Sequence, residues 1–366
     1  MRILVTGGAG FIGAAMSTYL ADHHEQVIAF DNLHPQIHPD HQPTAGFDKR
    51  VELYEADVTD PAAWDTLLER FTPDVVVHLA AETGTGQSLT ESTRHASVNV
   101  VGTTTMLDAF ARHQVIPQRI VLASSRAVYG EGAWRHTSGE HAGELFYPGS
   151  RTVAMFEKEE WDFPEAEPVA MNAALVEPHP SSVYAVTKIA QEQLLRMWGD
   201  AFGCEIGIVR LQNVYGPGQT PSNPYTGIMS LFCRVAYNKQ QISVYEDGLI
   251  RRDFIIIDDV ARALIKMIEI EKCPGVSVDI GAGHYTTILE AAQIIAKIYG
   301  APEPKITGQW RHGDVRHAWA DPAPARELLG FEAEVDVEEG FTRLASWINT
   351  QTQYFRTRLS MLRSSL

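Results

Sequence analysis

At 366 residues and 45% hydrophobic, the chain can bury a large core in one big domain or two unequal ones, which excludes a disordered or fibrous protein. Forty-six acidic against 30 basic residues leave a net charge of -16, which repels nucleic acid and anionic membranes and obliges any anionic ligand to find a local cluster of basic groups. Three scattered cysteines, Cys204, Cys233 and Cys273, without CxxC spacing, and the lack of any apolar run near about 20 residues predict a reduced, cytoplasmic, soluble protein.

The first predicted strand, residues 3–5, stops at TGGAGFIG, residues 6–13, and a helix begins near Phe11. Gly7, Gly10 and Gly13 permit a tight turn, and the backbone there and at Phe11 and Ile12 can approach a pyrophosphate at the positive end of that helix. The second strand, 27–30, ends at Asp31-Asn32. A carboxylate about 20 residues beyond the glycines suits the adenosine ribose hydroxyls and repels a phosphate on them, so NAD is expected over NADP. The third strand, 51–54, leads to Asp57-Val58, placed for the adenine edge. The fourth, 75–79, runs into Leu79-Ala80-Ala81, small enough for the backbone to pass beneath a cofactor.

Crossover helices are predicted over 62–71 and 98–113, and Asn99 in the second is assigned to the cofactor set with the residues above. The fifth strand, 120–122, ends in Ser124-Ser125-Arg126-Ala127-Val128-Tyr129-Gly130 at the sheet edge where doubly wound folds hold ligands. Ser125 is expected to bond both a reacting alcohol and a tyrosine oxygen, Ser124 to lie at the cofactor. An insertion, 131–178, follows. Its acidic, proline-punctuated part around Trp161 holds no cysteine and reads either as a solvated surface segment or as a flap over the site.

Tyr184 and Lys188 stand four residues apart, on one face of a predicted helix. A tyrosine, with an ordinary pKa near 10, needs a fall of roughly 3 units to act as a base near neutrality. The Lys188 ammonium and the positive nicotinamide of oxidised NAD can supply it. A last strand of this half spans 206–211.

After Gly216-Pro-Gly-Gln the chain turns irregular, with predicted strands at 242–245 and 276–280 and helices at 288–299 and 324–329. The fold class expected is α/β: a doubly wound parallel sheet for NAD over 1–215, a smaller α/β substrate lobe over 216–350, part of it free to return to the first domain, and a tail over 351–366. His34, His38 and His41 lie in a proline-rich loop, where helical spacing means little, so no metal is expected.

With TGGAGFIG, Asp31, HLAA, SSRAVYG, YAVTK and RLQNVYGPGQ in this order, the sequence resembles the extended short-chain dehydrogenase/reductase family of nucleotide-sugar-modifying enzymes, from residue 1 to about 348. The resemblance implies bound NAD, a catalytic set at Ser125, Tyr184 and Lys188, and a substrate held by its nucleoside diphosphate under the C-terminal lobe. Asn213, Arg252 and Arg316 match the family's diphosphate contacts. Tyr225 is assigned to stacking on the base and Arg126 to sugar or diphosphate. The family also implies a homodimer through a four-helix bundle, to which the apolar stripe Ala190, Leu194 and Met197 is suited.

Members that dehydrate the sugar carry an Asp-Glu pair where this chain has Arg126 and Ala127. What remains is a minimal set able to remove hydride from C4, hold a 4-keto sugar, turn it over and return hydride to the other face. The resemblance implies 4-epimerisation, with dTDP-L-rhamnose and dTDP-6-deoxy-L-talose as the expected pair. UDP-glucose/galactose, or a dehydratase or oxidoreductase reaction on a nucleotide sugar, stands as the alternative.

Overall fold

The computed structural model describes residues 1–219, 227–311 and 313–364, with 352–364 as backbone only. Seven strands form one parallel sheet: β1 (Arg2–Thr6), β2 (Gln26–Asp31), β3 (Glu52–Glu55), β4 (Val75–His78), β5 (Arg119–Ser125), β6 (Glu205–Leu211) and β7 (Val278–Ile280), in the order β7-β6-β5-β4-β1-β2-β3. Their apolar runs are continuous because both faces are covered. Ile3 and Val5 point to one layer, with Met16 and Leu20 of α1 (Phe11–His23). Leu4 points to the other, with Trp64 and Leu67 of α2 (Pro61–Leu68), Met106 and Phe110 of α3 (Gly102–His113) and Leu195 of α4 (Val183–Phe202).

The strand order reverses between β1 and β4, so their carboxyl ends open a crevice at which the glycine loop and the segment after β4 face each other. Helix α4 sets the far side. Ser182 caps it by accepting from the Ala185 amide, and Gly203 ends it at φ 73°, a left-handed turn natural to glycine. Tyr184 therefore lies in its first turn and Lys188 one turn on.

The C-terminal third divides. Strand β7, from the stretch of which part was expected to be free to return to the first domain, pairs with β6, with Val278 beside Val209 and Ile280 beside Leu211. The crossover that carries it back is α5 (Ile257–Glu269), whose Val260, Leu264 and Ile268 enter the same core as Ile3 and Val5. The smaller lobe gathers around the helices Ile228–Tyr237, Ile288–Tyr299 and Val337–Ser364, with Phe232, Phe254, Ile295 and Phe341 inside. The last of these runs on through the expected tail as far as Ser364.

The insertion is a folded unit fastened to the lobe, which departs from the reading of it as a solvated segment. Strand Trp134–His136 pairs antiparallel with Leu145–Phe146 on one side and Ala166–Pro168 on the other. Arg151, fully buried, donates to both oxygens of buried Glu246 at 2.8 and 3.0 Å and to the Asp314 carbonyl at 2.8 Å. Asp162 accepts from Arg316 at 2.8 Å and contacts His317 at 3.0 Å. Most of its acidic side chains, Glu157, Glu159 and Glu160 among them, do face solvent, as the composition suggested. Among the described residues no helix is long and apolar enough to cross a membrane.

Candidate active site

The glycine loop is packed to its limit. A Cβ on Gly13 would lie 2.3 Å from the Gly8 carbonyl oxygen, and one on Gly7, whose φ is 66°, 2.7 Å from the Ala80 amide nitrogen. A Cβ on Gly10 would meet only the Gly7 oxygen, at 3.2 Å, so its other side is open. Gly10 caps α1 without any side-chain bond, leaving the helix start to a ligand's negative charge. Asp31 braces the loop by accepting from the amides of Ala9 at 3.1 Å and Leu33 at 2.9 Å. Asn32 donates to Asp57 at 2.8 Å, which ties the ends of β2 and β3 into one rim. Ala80 donates to the Thr6 hydroxyl, so the segment Leu79-Ala80-Ala81 lies against the glycines. Val58 packs in the core beneath this rim. These features fit a dinucleotide: a cradle that a methyl group would fill, a free helix start and a carboxylate at the end of the neighbouring strand.

Two residues assigned to the cofactor sit elsewhere. Asn99 is fully buried in a π turn, Ser97–Val101, where its carboxamide bonds both backbone groups of Glu82 and donates to Thr187 at 2.9 Å. It positions the segment after β4 against α4 and is enclosed by protein. Ser124 is buried too, its hydroxyl donating to Glu192, which also holds Arg210. Alternation along β5 turns Ser124 inward and Ser125 to the other side, toward Tyr184.

At that edge Ser125 lies close enough to the Tyr184 phenol to favour its ionised form. Burial pushes the Tyr184 phenol up, opposed by Ser125 and the positive charge of Arg126. Lys188 donates to the Ala123 carbonyl at 2.9 Å, and burial pulls its ammonium down to about 8 against the support of Glu192. Behind it His78 is sealed between Thr6, Thr103 and Gln191 and is kept neutral by burial, with a pKa near 3.

On the substrate side Arg126 donates through Nε to Asn213 at 2.8 Å. Arg252, on the short strand Arg251–Arg252, donates to the carbonyls of Arg251 and Arg316 at 2.8 and 3.0 Å. Burial, then the like charge of Arg126, lowers the Arg252 pKa, yet a guanidinium stays charged at any working pH. Among the described residues neither arginine makes an ion pair within 4 Å. Two neighbouring cations that face Glu131 and Asp314 without pairing to either form a site for an anion.

Arg316 is not available for that task. Its side chain is fully buried and donates to Asp162 of the insertion and to Glu246 and Asp247 of the lobe. Tyr225 lies outside the described residues. Four residues that the sequence reading passed over stand nearby. Glu131 and Asp314 face Arg126 and Arg252, and burial raises Glu131 to about 7. Tyr245 and Arg311, with the guanidinium 5.2 Å from the ring centre, line an open cavity of about 430 Å³ that also takes in Trp310. The pair in RHGD, three residues apart, was the signal for Arg311 and Asp314. Among the described residues no group of three His, Cys, Asp or Glu could hold a metal ion, and His38 instead contacts Gln42 and Asp31.

Residues 3–281 match the NAD dependent epimerase/dehydratase family. The chain belongs to that family. It is 50% identical over 347 residues to a dTDP-L-rhamnose 4-epimerase of Burkholderia thailandensis, covering 95% of this chain and 94% of the relative. It is 29% identical to a UDP-glucose 4-epimerase of Mycolicibacterium smegmatis over 96% of this chain and all of that one. Among solved structures, the UDP-glucose 4-epimerase of Thermotoga maritima with UDP-glucose superposes with a TM-score of 0.78 at 27% identity, covering 96% of this chain and 100% of that one. MoeE5 in complex with UDP-glucuronic acid and NAD gives 0.73 at 28%, with the same coverage of both chains. The fold is thus that of the Rossmann epimerases, NAD is the cofactor, and the protein is a nucleotide-sugar 4-epimerase.

Proposed function

We propose that the protein interconverts dTDP-L-rhamnose and dTDP-6-deoxy-L-talose by epimerisation at C4. Support for the reaction comes from the Ser125–Tyr184 pair set beside two unpaired arginines, and support for the substrate from the identity to the Burkholderia enzyme over nearly the whole chain. Bound NAD would supply the hydride acceptor and donor that C4 requires. Tyr184 removes the C4 hydroxyl proton and restores it after the sugar has turned, Ser125 orients that oxygen, and Lys188 would hold the nicotinamide ribose of the bound cofactor. Arg252, Arg126 and Asn213 hold the diphosphate, and the Tyr245–Arg311 cavity receives the nucleotide base, where a ring can stack.

The residues for the cofactor are Gly7, Gly10, Phe11, Ile12, Gly13, Asp31, Asn32, Asp57, Val58, Leu79, Ala80 and Ala81, through backbone and rim. A homodimer through α3 and α4 is part of this reading. Val101, Val186 and Met197 are 50%, 50% and 65% exposed there, while Ala190 and Leu194 are half-buried. We assign the protein to the cytoplasm, in keeping with its three free cysteines.

Incubating the pure protein with dTDP-, UDP- and GDP-sugars and following anomeric NMR signals tests the substrate. The expected result is turnover of dTDP-L-rhamnose without accumulated NADH. Faster conversion of UDP-glucose to UDP-galactose establishes the alternative substrate, and stoichiometric NADH release establishes an oxidoreductase.

A further inference from the structure

One wall of the cavity beside Tyr245 and Arg311 is the stretch 307–311, and its own lobe holds that stretch by little. Strand Lys305–Ile306 pairs with Ser243–Val244 over two residues, the Thr307 amide donates to the Val244 carbonyl at 2.9 Å, and the Glu246 amide donates to the Gln309 carbonyl at 2.8 Å. Among the described residues from 308 to 314 there is no helix or strand. Behind the wall stands the insertion. Phe156, 2% exposed in the short helix Val153–Glu157, stacks flat on Trp310, with ring centres 4.7 Å apart and planes 7° from parallel. The Arg151 guanidinium lies over the Phe156 ring, 4.7 Å from its centre. The same guanidinium bonds Glu246, the neighbour of Tyr245, at 2.8 and 3.0 Å, and the Asp314 carbonyl, three residues beyond Arg311, at 2.8 Å.

We propose that the insertion builds the nucleotide-base subsite from behind: Phe156 and Arg151 are positioning residues that hold Trp310 and Arg311 opposite Tyr245. This rests on the reading of that cavity as the place of the base. A segment without ladder bonds takes its order from side-chain packing, and here the packing comes from residues about 150 positions upstream, through the Phe156–Trp310 stack. A wall already fixed spares the ligand the entropy of ordering it, so the gain appears as affinity for the part of the ligand that touches the wall. Because Arg151 reaches both sides of the cavity, Tyr245 and Arg311 keep their spacing through one buried group. The diphosphate and the reacting sugar carbon meet Arg126, Arg252 and Tyr184 instead, so the insertion acts on binding of the base and not on the hydride step.

The test is inhibition of the NAD-bound enzyme by dTDP, which carries a base, and by inorganic pyrophosphate, which does not. Phe156→Ala is expected to raise the inhibition constant of dTDP and the KM for dTDP-L-rhamnose about tenfold, in keeping with the loss of one aromatic pair, with kcat and pyrophosphate inhibition within about twofold of the parent. Phe156→Leu keeps most of the buried volume and loses the flat face; it is expected to raise both about threefold, and it carries the test if the alanine variant does not fold. Trp310→Ala should weaken dTDP at least as much as Phe156→Ala, and combining the two should cost nothing further, since one ring acts through the other. Unchanged dTDP inhibition in a folded Phe156 variant, equal losses for dTDP and pyrophosphate, a parallel fall in kcat, or full additivity of the two changes overturns the inference. Unaltered dTDP inhibition in Trp310→Ala would instead move the base out of this cavity and remove the reading on which the inference rests.

Discussion

At the residue scale the site is legible where spacing alone fixes geometry. A phenol and an amine four apart on a helix share a face whatever surrounds them, and Tyr184 and Lys188 do so here. Tyr184→Phe is expected to lower turnover at least about 100-fold with NAD still bound, read by steady-state rates and cofactor absorbance. Gly13→Ala drives a methyl group into the Gly8 carbonyl, so NAD affinity should fall at least about tenfold by calorimetry, near 1.4 kcal/mol. Glu131 gives a prediction in pH. Burial raises its carboxyl to about 7, so the folded state holds its proton between the ordinary value near 4.5 and 7 while the unfolded chain has released it. Its contribution to stability is complete below 4.5 and lost as pH rises through 7. Glu131→Gln should therefore gain in thermal midpoint relative to the parent as pH goes from 5 to 7.5. The direction of Arg316 was not legible, since its partners Asp162, Glu246 and Asp247 are 69 to 154 residues away in sequence.

At the scale of elements the strands of the large sheet could be read from apolar runs bounded by turn residues, and the crossover helices from the gaps between them. The insertion could not. Its strands are two or three residues long, below the length at which alternation carries a signal, and its order comes from ion pairs made with another lobe. The π turn Ser97–Val101 was hidden too, because it is a widening of one turn within a helical pattern and its purpose, to seat Asn99, is tertiary. The Arg151–Glu246 pair is fully buried, so breaking it from one side leaves an uncompensated charge. Arg151→Met is expected to cost about 3 kcal/mol, with Glu246 retaining only Arg316. A second change, Glu246→Gln, should recover part of the loss in a thermal or denaturant melt.

For the whole molecule, composition set the outer bounds, and its acidity explains why the few unpaired arginines matter. The sequence pattern placed two lobes in order along the chain but could not say which sheet a short apolar run would join, because Val278–Ile280 is three residues long and reads alike in either. Assembly belongs to this scale. The homodimer proposed above predicts that the parent sediments as a dimer and that Met197→Glu on the exposed stripe of α4 sediments as a monomer with unchanged secondary structure; a monomeric parent overturns the dimer, and an unaltered dimer in the variant places the contact elsewhere.

The return of β7 to the sheet has a mechanical meaning. Because the polypeptide leaves the nucleotide-binding layer after β6, visits the other lobe, and comes back through α5 before leaving again, the two halves are stitched rather than hinged at one point. A fragment severed after residue 215 would strip β6 of its outer partner and bare the Val209–Leu211 rim. Ala325, Leu329 and Phe331 return to the first core a second time, so swapping the specificity half between relatives means transplanting three separate stretches and keeping the segments between them, not exchanging one cassette.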